Sequence, residues 1–299
     1  MHWLIYAILS PVVASSTNYI EKFLLEKELD DSVVFLIFMA VVDLLFCIPL
    51  FLLHGFAGPS LAQILILLLA GALNTFYVLP YFQALKLEET SRVVPLFQFV
   101  PVFTLVLSSF FLGEKLNSHE LLGFALILFG GFFISVNKLD SKIFRPRKAL
   151  WYMILSSLMY AILAVCFKFV VVRTSVLTSF SYEILGSALG GFILFCIPFY
   201  AKRSISYITK LSKTFYFGIV LNVSLSILFE FFSAIALSLA PVALVMVISG
   251  IQPFIVLLFG IILSVWFPHI IKEDIKKSTI TLKISALCMI FIGIIFIYL

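Results

Sequence analysis

The sequence is a succession of ten apolar stretches, each about twenty residues long and each closed by a polar break. They fall near 3–22, 33–53, 61–85, 92–112 and 118–137, then near 149–170, 176–200, 214–237, 240–266 and 280–299. A helix needs about 20 such residues to cross the hydrocarbon core of a bilayer, and helices satisfy their own backbone groups there. An all-α membrane protein of ten transmembrane helices is therefore expected. The longest connections, around 138–148, 201–213 and 267–279, leave no room for a soluble domain. Composition agrees: 63% of residues are hydrophobic and 12% charged, against about 25% charged in a soluble domain. With a mean hydropathy of +1.20, the chain has lipid as its main solvent.

The two halves repeat each other. Phe46-Cys47-Ile48-Pro49 recurs as Phe195-Cys196-Ile197-Pro198, and Trp3 recurs as Trp151. Ala84-Leu85 returns as Ala236-Leu237, and Pro101 as Pro253. The offsets are 149, 148, 152 and 152 residues, in chain order and close to half the length. A duplicated five-helix unit is expected, with residues 1–140 as the first copy and 141–299 as the second. Because five is odd, the copies must lie upside down relative to each other, an arrangement common in secondary transporters.

Loop charge speaks to orientation. Of the 20 Lys and Arg residues, 17 lie in odd-numbered connections or at their edges, and only Lys115, Lys168 and Arg173 lie in even ones. By the positive-inside rule the odd connections face the cytoplasm and both termini face out. The net charge of +5 is then loop charge rather than a nucleic-acid footprint, since such short loops form no basic groove.

Several chemistries find no footing. Cys47, Cys166, Cys196 and Cys288 all lie in apolar runs without a C-x-x-C, so neither disulfides nor zinc are expected. His2, His54, His119 and His269 are scattered at span ends. No P-loop, H-E-x-x-H or Ser/His/Asp grouping is present, which argues against an enzyme, a cofactor and direct ATP drive. The N-terminus lacks the basic region and cleavage site of a removable signal peptide, so its first apolar run is expected to remain as the first span.

Residues 84–114 carry an Ala-Leu exit from the third span (Ala84-Leu85), Pro101-Val102-Phe103 in the fourth, and Gly113-Glu114 at its end. In these the chain resembles the EamA-like family of the drug/metabolite transporter superfamily. The second half repeats the theme at Ala236-Leu237 and Pro253-Phe254 but ends on Val265-Trp266 in place of Gly-Glu. The resemblance implies a carrier of small metabolites such as amino acids, nucleobases or drugs. It also implies cytoplasmic termini for many relatives, opposite to the loop charges.

The candidate site residues are the polar ones inside spans. A carboxylate at the bilayer centre costs about 2.5–3.5 kcal/mol on insertion scales and asks for a reason. On the eighth span Asn222, Ser226, Glu230 and Ser233 share one helix face. Glu230 is the main candidate, for contact with a substrate amine or for proton coupling. On the third span Asn74, Tyr77 and Tyr81 share a face, and the repeat offset brings Tyr77 beside the Glu230 level. Such stripes line a cavity or, alternatively, form a hydrogen-bonded seam between helices. The fourth and ninth spans carry Pro95, Gln98 and Pro101 against Gly250, Gln252 and Pro253. Proline breaks at matching positions point to a hinge or a site, or to a static kink.

Asp43 stands alone in the second span and Glu183 begins an apolar face in the seventh; each is a candidate for proton coupling or, alternatively, lies nearer a headgroup region. Asn18 and Lys22 share a face of the first span, as Tyr160, Ala164 and Lys168 do on the sixth. The lysines bind an anionic group or snorkel to the interface. Gly186 and Gly190 form a G-x-x-x-G that suits close helix contact.

The expected function is a secondary transporter, exporter or exchanger, of small metabolites such as amino acids or amphiphilic compounds, working by alternating access. Substrate contacts are expected from Glu230, Asn74, Tyr77, Gln98, Tyr160, Asn222, Gln252 and Asn18, with Pro95, Pro101 and Pro253 as hinges. The expected partners are a small-molecule substrate and the lipid bilayer, in a monomer or homodimer of the plasma membrane. The alternative is a lipid-handling or structural membrane subunit without a solute pathway.

Overall fold

The computed structural model describes residues 2–54, 58–87, 93–135, 148–256, 258–259 and 277–297. The connections around 138–147 and 267–276, and Val265-Trp266, lie outside them. The described chain is helical: α1 His2–Lys27, α2 Ser32–His54, α3 Leu61–Phe76, α4 Val78–Leu87, a 3-10 turn Val94–Gln98, α5 Phe99–Phe111 and α6 Ser118–Ser135. There follow α7 Lys148–Val171, α8 Val176–Phe195, α9 Pro198–Ile208, α10 Lys213–Leu239, α11 Val242–Ser249 and α12 Lys277–Ile297. Among the described residues five helical stretches are long and apolar enough to cross a membrane, and shorter apolar helices accompany them. The protein is a multi-pass integral membrane protein, and Leu52 and Phe110, 80% and 87% exposed, show the apolar outer face that lipid covers.

Local chemistry sets the helix ends. Each helix start leaves N–H groups without an intrahelical acceptor, and in lipid these must be met by side chains. Ser60 and Gln63 form a reciprocal capping box at α3, and Asn117 and Glu120 exchange equivalent bonds at α6. Ser175 and Ser212 cap α8 and α10. The third span is divided at Tyr77 into α3 and α4. Pro80 explains the break, because it has no N–H to return to the carbonyl of Phe76. The eighth span ends at Leu239, where Ala240 is extended and Pro241 opens α11.

The stretch 201–213, expected as a loop, is instead mostly α9, with Pro198 in its first turn. Its Phe199, Ile205 and Ile208 are exposed, while Arg203 reaches back to Asp31 at 3.0 Å. An apolar face beside Lys202 and Arg203 suits a helix lying along the membrane surface.

Small residues let the spans approach closely. A Cβ on Gly71 of α3 would lie 1.9 Å from the backbone oxygen of Glu183 on α8. At the same seam the Thr75 hydroxyl donates to the Ser187 carbonyl at 3.0 Å, and the Ser187 hydroxyl to the Gly71 carbonyl at 3.1 Å. Gly186 and Gly190, the G-x-x-x-G pair, meet Leu68, Gly71, Ala72 and Thr75 of α3. Gly123 and Gly293 hold α6 against α12 in the same way.

Candidate functional site

The close α3–α8 seam brings Asn74 and Glu183 to the same level of the bundle, and α10 brings Glu230 opposite them. The three side chains line a cavity of about 40 Å³ together with Tyr77, Tyr160 and Ser233. The Asn74 side-chain amide donates to Glu230 Oε1 at 2.8 Å. The rings of Tyr77 and Tyr160 meet edge to face at 4.9 Å, and the Ser156 hydroxyl donates to the Tyr77 carbonyl at 2.8 Å, beside the break between α3 and α4. Asp43, half-buried on α2, lies within electrostatic reach of Glu230. The cavity admits water, which needs roughly 10–15 Å³; a metabolite requires the helices to part.

The other candidates fall elsewhere. Asn222 is fully buried one turn below Ser226 on the α10 stripe, and its amide donates to Glu21 Oε1 at 3.2 Å. Gln98 does not line the cavity. Its side-chain amide lies between Gly131 and Gly250 and donates to the Gly250 carbonyl at 3.2 Å. Gln252 and Asn18 are not among the lining residues; Asn18 is exposed, and the Gln252 carbonyl accepts from Ser15 at 3.5 Å. The Lys22 side chain lies outside the described residues.

The fourth and ninth spans are both interrupted. Pro95 sits in the first turn of the 3-10 segment before α5, and α11 stops at Ser249, with Gly250 and Ile251 in a turn before helix resumes at 252–256. Pro101 is buried in the first turn of α5, and Pro253 is half-buried in the first turn of the resumed helix.

Lys168 does not snorkel. It is 9% exposed, and its ammonium donates to the carbonyls of Leu237 at 2.6 Å and Ala240 at 2.9 Å. Glu114 Oε1 lies 3.9 Å from it, while Glu114 Oε2 accepts the N–H of Val242 at 2.9 Å. These contacts cap the end of α10, whose carbonyls lack intrahelical partners, and tie the connection after α5 to α7, α10 and α11. Leu237 and Phe167 line the cavity, so this knot stands next to it. A second space of about 180 Å³ is lined by Glu114, Lys168 and Arg173 among others.

Glu21 was missed by sequence reading because it stands at the edge of the expected first span. In the structure α1 continues to Lys27, so Glu21 stands a full turn and more inside the helix.

Residues 1–136 match the EamA-like transporter family. An uncharacterized transporter in the cobO 3′ region of a Sinorhizobium species is 40% identical over 72 residues, 24% of this chain and 51% of that protein. The chain therefore spans about half the length of the curated relative it matches. A protein crystal structure with 13% sequence identity superposes with a TM-score of 0.65 over 97% of each chain, a likeness of fold. The likeness to the EamA-like transporter family thus covers residues 1–136 of the chain.

Proposed function

We propose that this protein is a secondary transporter of small metabolites, built as ten spans in two inverted five-helix units, residues 1–140 and 141–299, and working by alternating access. The observation that carries the reading is the Asn74–Glu230 hydrogen bond, made between helices of the two units and facing a central water-sized cavity. A carboxylate held there by an amide from the opposite unit is a group that substrate or a proton can displace.

The packing supports the inverted arrangement. Spans expected to correspond pack on each other, α2 on α8, α5 on α11 and α6 on α12. The packing of α1 on α10 is matched by that of α3 and α4 on α7. One related pair is unequal: α3 packs closely on α8, whereas α2 only touches α10. Such inequality between symmetry-related contacts is what one access state of a rocking carrier requires. The Lys168–Glu114 knot would hold one end shut in this state, and the interrupted fourth and ninth spans would bend as the cavity opens.

Counterflow in proteoliposomes tests this. Purified protein is given a mixed pool of amino acids, amines, nucleosides and sugar phosphates, with and without a pH gradient. Saturable movement of one class, lost in Glu230→Gln, is expected. Movement that survives the substitution keeps the carrier and removes Glu230 from its site. No movement by folded protein overturns the carrier and favours the lipid-handling or structural subunit.

A further inference from the structure

We infer that the solute is an organic cation, an amine without a carboxylate, and that Glu21 and Asn222 form a second station for its ammonium along α10. The inference rests on the carrier reading above and narrows it to a substrate class.

Charge is the first ground. The cavity is lined by Glu183 and Glu230, and none of its lining residues is Lys or Arg. Asp43 adds a third carboxylate within reach of Glu230. Among the buried described residues the one basic side chain is Lys168, and its ammonium is already engaged by two carbonyls and Glu114. A zwitterionic amino acid entering this space brings a carboxylate that meets carboxylates and no free cation. Like charges at such range in a low-dielectric interior repel strongly. An ammonium meets the opposite situation, and Tyr77, Tyr160, Phe167 and Phe229 around the cavity add ring faces that attract cations.

The Glu21–Asn222 pair is the second, independent ground. Asn222 is wholly buried. Its amide nitrogen is used by Glu21, yet its Oδ1 has no hydrogen-bond partner. An unmet buried acceptor beside a carboxylate asks for a donor. An ammonium, with its several N–H groups and no acceptor, supplies bonds to both oxygens at once. Asn222 and Glu230 lie eight residues apart on one face of α10, about 12 Å along the axis. An amine can thus pass between two carboxylate–carboxamide pairs, Glu21–Asn222 and Glu230–Asn74, without leaving a negative environment. Tyr77 and Tyr81 lie within electrostatic reach of Glu21, so the stretch between the stations also carries hydroxyls.

The test is counterflow with a matched pair, radiolabelled tyramine and tyrosine, which differ only in the carboxylate, alongside a sugar phosphate. Tyramine is expected to exchange saturably, with tyrosine at least about tenfold slower, the scale of one strongly unfavourable charge contact. Tyrosine moving as fast as tyramine overturns the cation assignment while leaving the carrier intact. Movement of the sugar phosphate alone does the same. If none of the three moves and the wider pool is also inert, the carrier reading fails with it. Glu21→Gln then isolates the second station, because a glutamine can still accept from Asn222 and can donate to its free oxygen, so the fold is kept. Tyramine flux is expected to fall about tenfold or more for a lost charge-assisted hydrogen bond, with thermal unfolding in detergent unchanged. Unchanged flux in that variant overturns the assignment of Glu21 and Asn222.

Discussion

Gln98 donates its side-chain amide to the carbonyl of Gly250, a residue 152 positions away, the same offset that separates Pro101 from Pro253. Under the proposed inverted arrangement, a residue that touches its own counterpart stands near the axis relating the two units. Both residues close an interrupted stretch, the 3-10 turn at Gln98 and α11 at Gly250. The contact joins the two interruptions, and the amide fits because Gly131 leaves room for it: a Cβ there would lie 2.7 Å from Gln98 Nε2 and 2.9 Å from the Gly250 carbonyl.

Gly131→Ala is accordingly expected to destabilise the protein by about 1–3 kcal/mol, the usual cost of overpacking. Thermal unfolding in detergent measures it. Adding Gln98→Ala should return part of the loss, since the side chain is the more movable of the two obstacles. No recovery in the double variant would mean that the Gly250 backbone alone sets the limit.

The α3–α8 seam is less forgiving. A Cβ on Gly71 meets backbone, 1.9 Å from the Glu183 oxygen and 2.6 Å from the Ser187 nitrogen, and backbone cannot swing aside. Gly71→Ala is expected to force the helices apart, with a loss at or above the upper end of the overpacking range, about 3 kcal/mol. Because Asn74 and Glu183 ride on these helices, any folded fraction should transport poorly. A variant of normal stability and normal flux would show the seam to be looser than drawn.

At the cavity, Glu230→Gln and Asn74→Ala separate charge from geometry. The first keeps the shape and an acceptor for the Asn74 amide, so unfolding should hardly move while flux is lost. The second removes the donor and leaves Glu230 without the bond it has at 2.8 Å. It should cost about 1–3 kcal/mol, typical for stranding a buried polar partner. Equal stability losses in both would mark Glu230 as part of a structural seam.

What the sequence could and could not reveal follows from range. The apolar helices were legible because burial in lipid demands runs of apolar residues, and the division between the eighth and ninth runs, at Pro241, because a missing N–H acts locally; the break before Pro80, inside an unbroken apolar run, was not. The nearness of the Asn74 and Glu230 stripes was legible from periodicity on each helix plus the repeat offset. Which face Gln98 turns, toward a cavity or into a cleft between Gly131 and Gly250, depends on glycines 33 and 152 residues away, and nothing local encodes it. The helix α9 was hidden by Lys202 and Arg203, whose charge reads as loop until a surface for the apolar residues around them, Phe199, Ile205 and Ile208, is known. The partners of Lys168 are backbone carbonyls 69 and 72 residues distant, and carbonyls leave no trace in a side-chain pattern.

Lys168 gives the most direct test of how the cavity opens. Its two carbonyl bonds, at 2.6 and 2.9 Å, are short, whereas its 3.9 Å approach to Glu114 is long for an ion pair. The carbonyl bonds should therefore dominate the closure, with Glu114 acting mainly through the Val242 N–H. Lys168→Met keeps the length of the side chain and removes every donor, leaving the end of α10 uncapped. It is expected to cost about 1–3 kcal/mol and to open that end of the cavity more often. A cysteine at Ser233, inside the cavity, should then react several-fold faster with a membrane-impermeant thiol reagent added from the side of the connection 112–117, in a background lacking the native cysteines. Glu114→Gln keeps an acceptor for Val242 and should change labelling little. If Glu114→Gln opens the cavity as far as Lys168→Met does, the ion pair rather than the carbonyl cap is what holds this end closed.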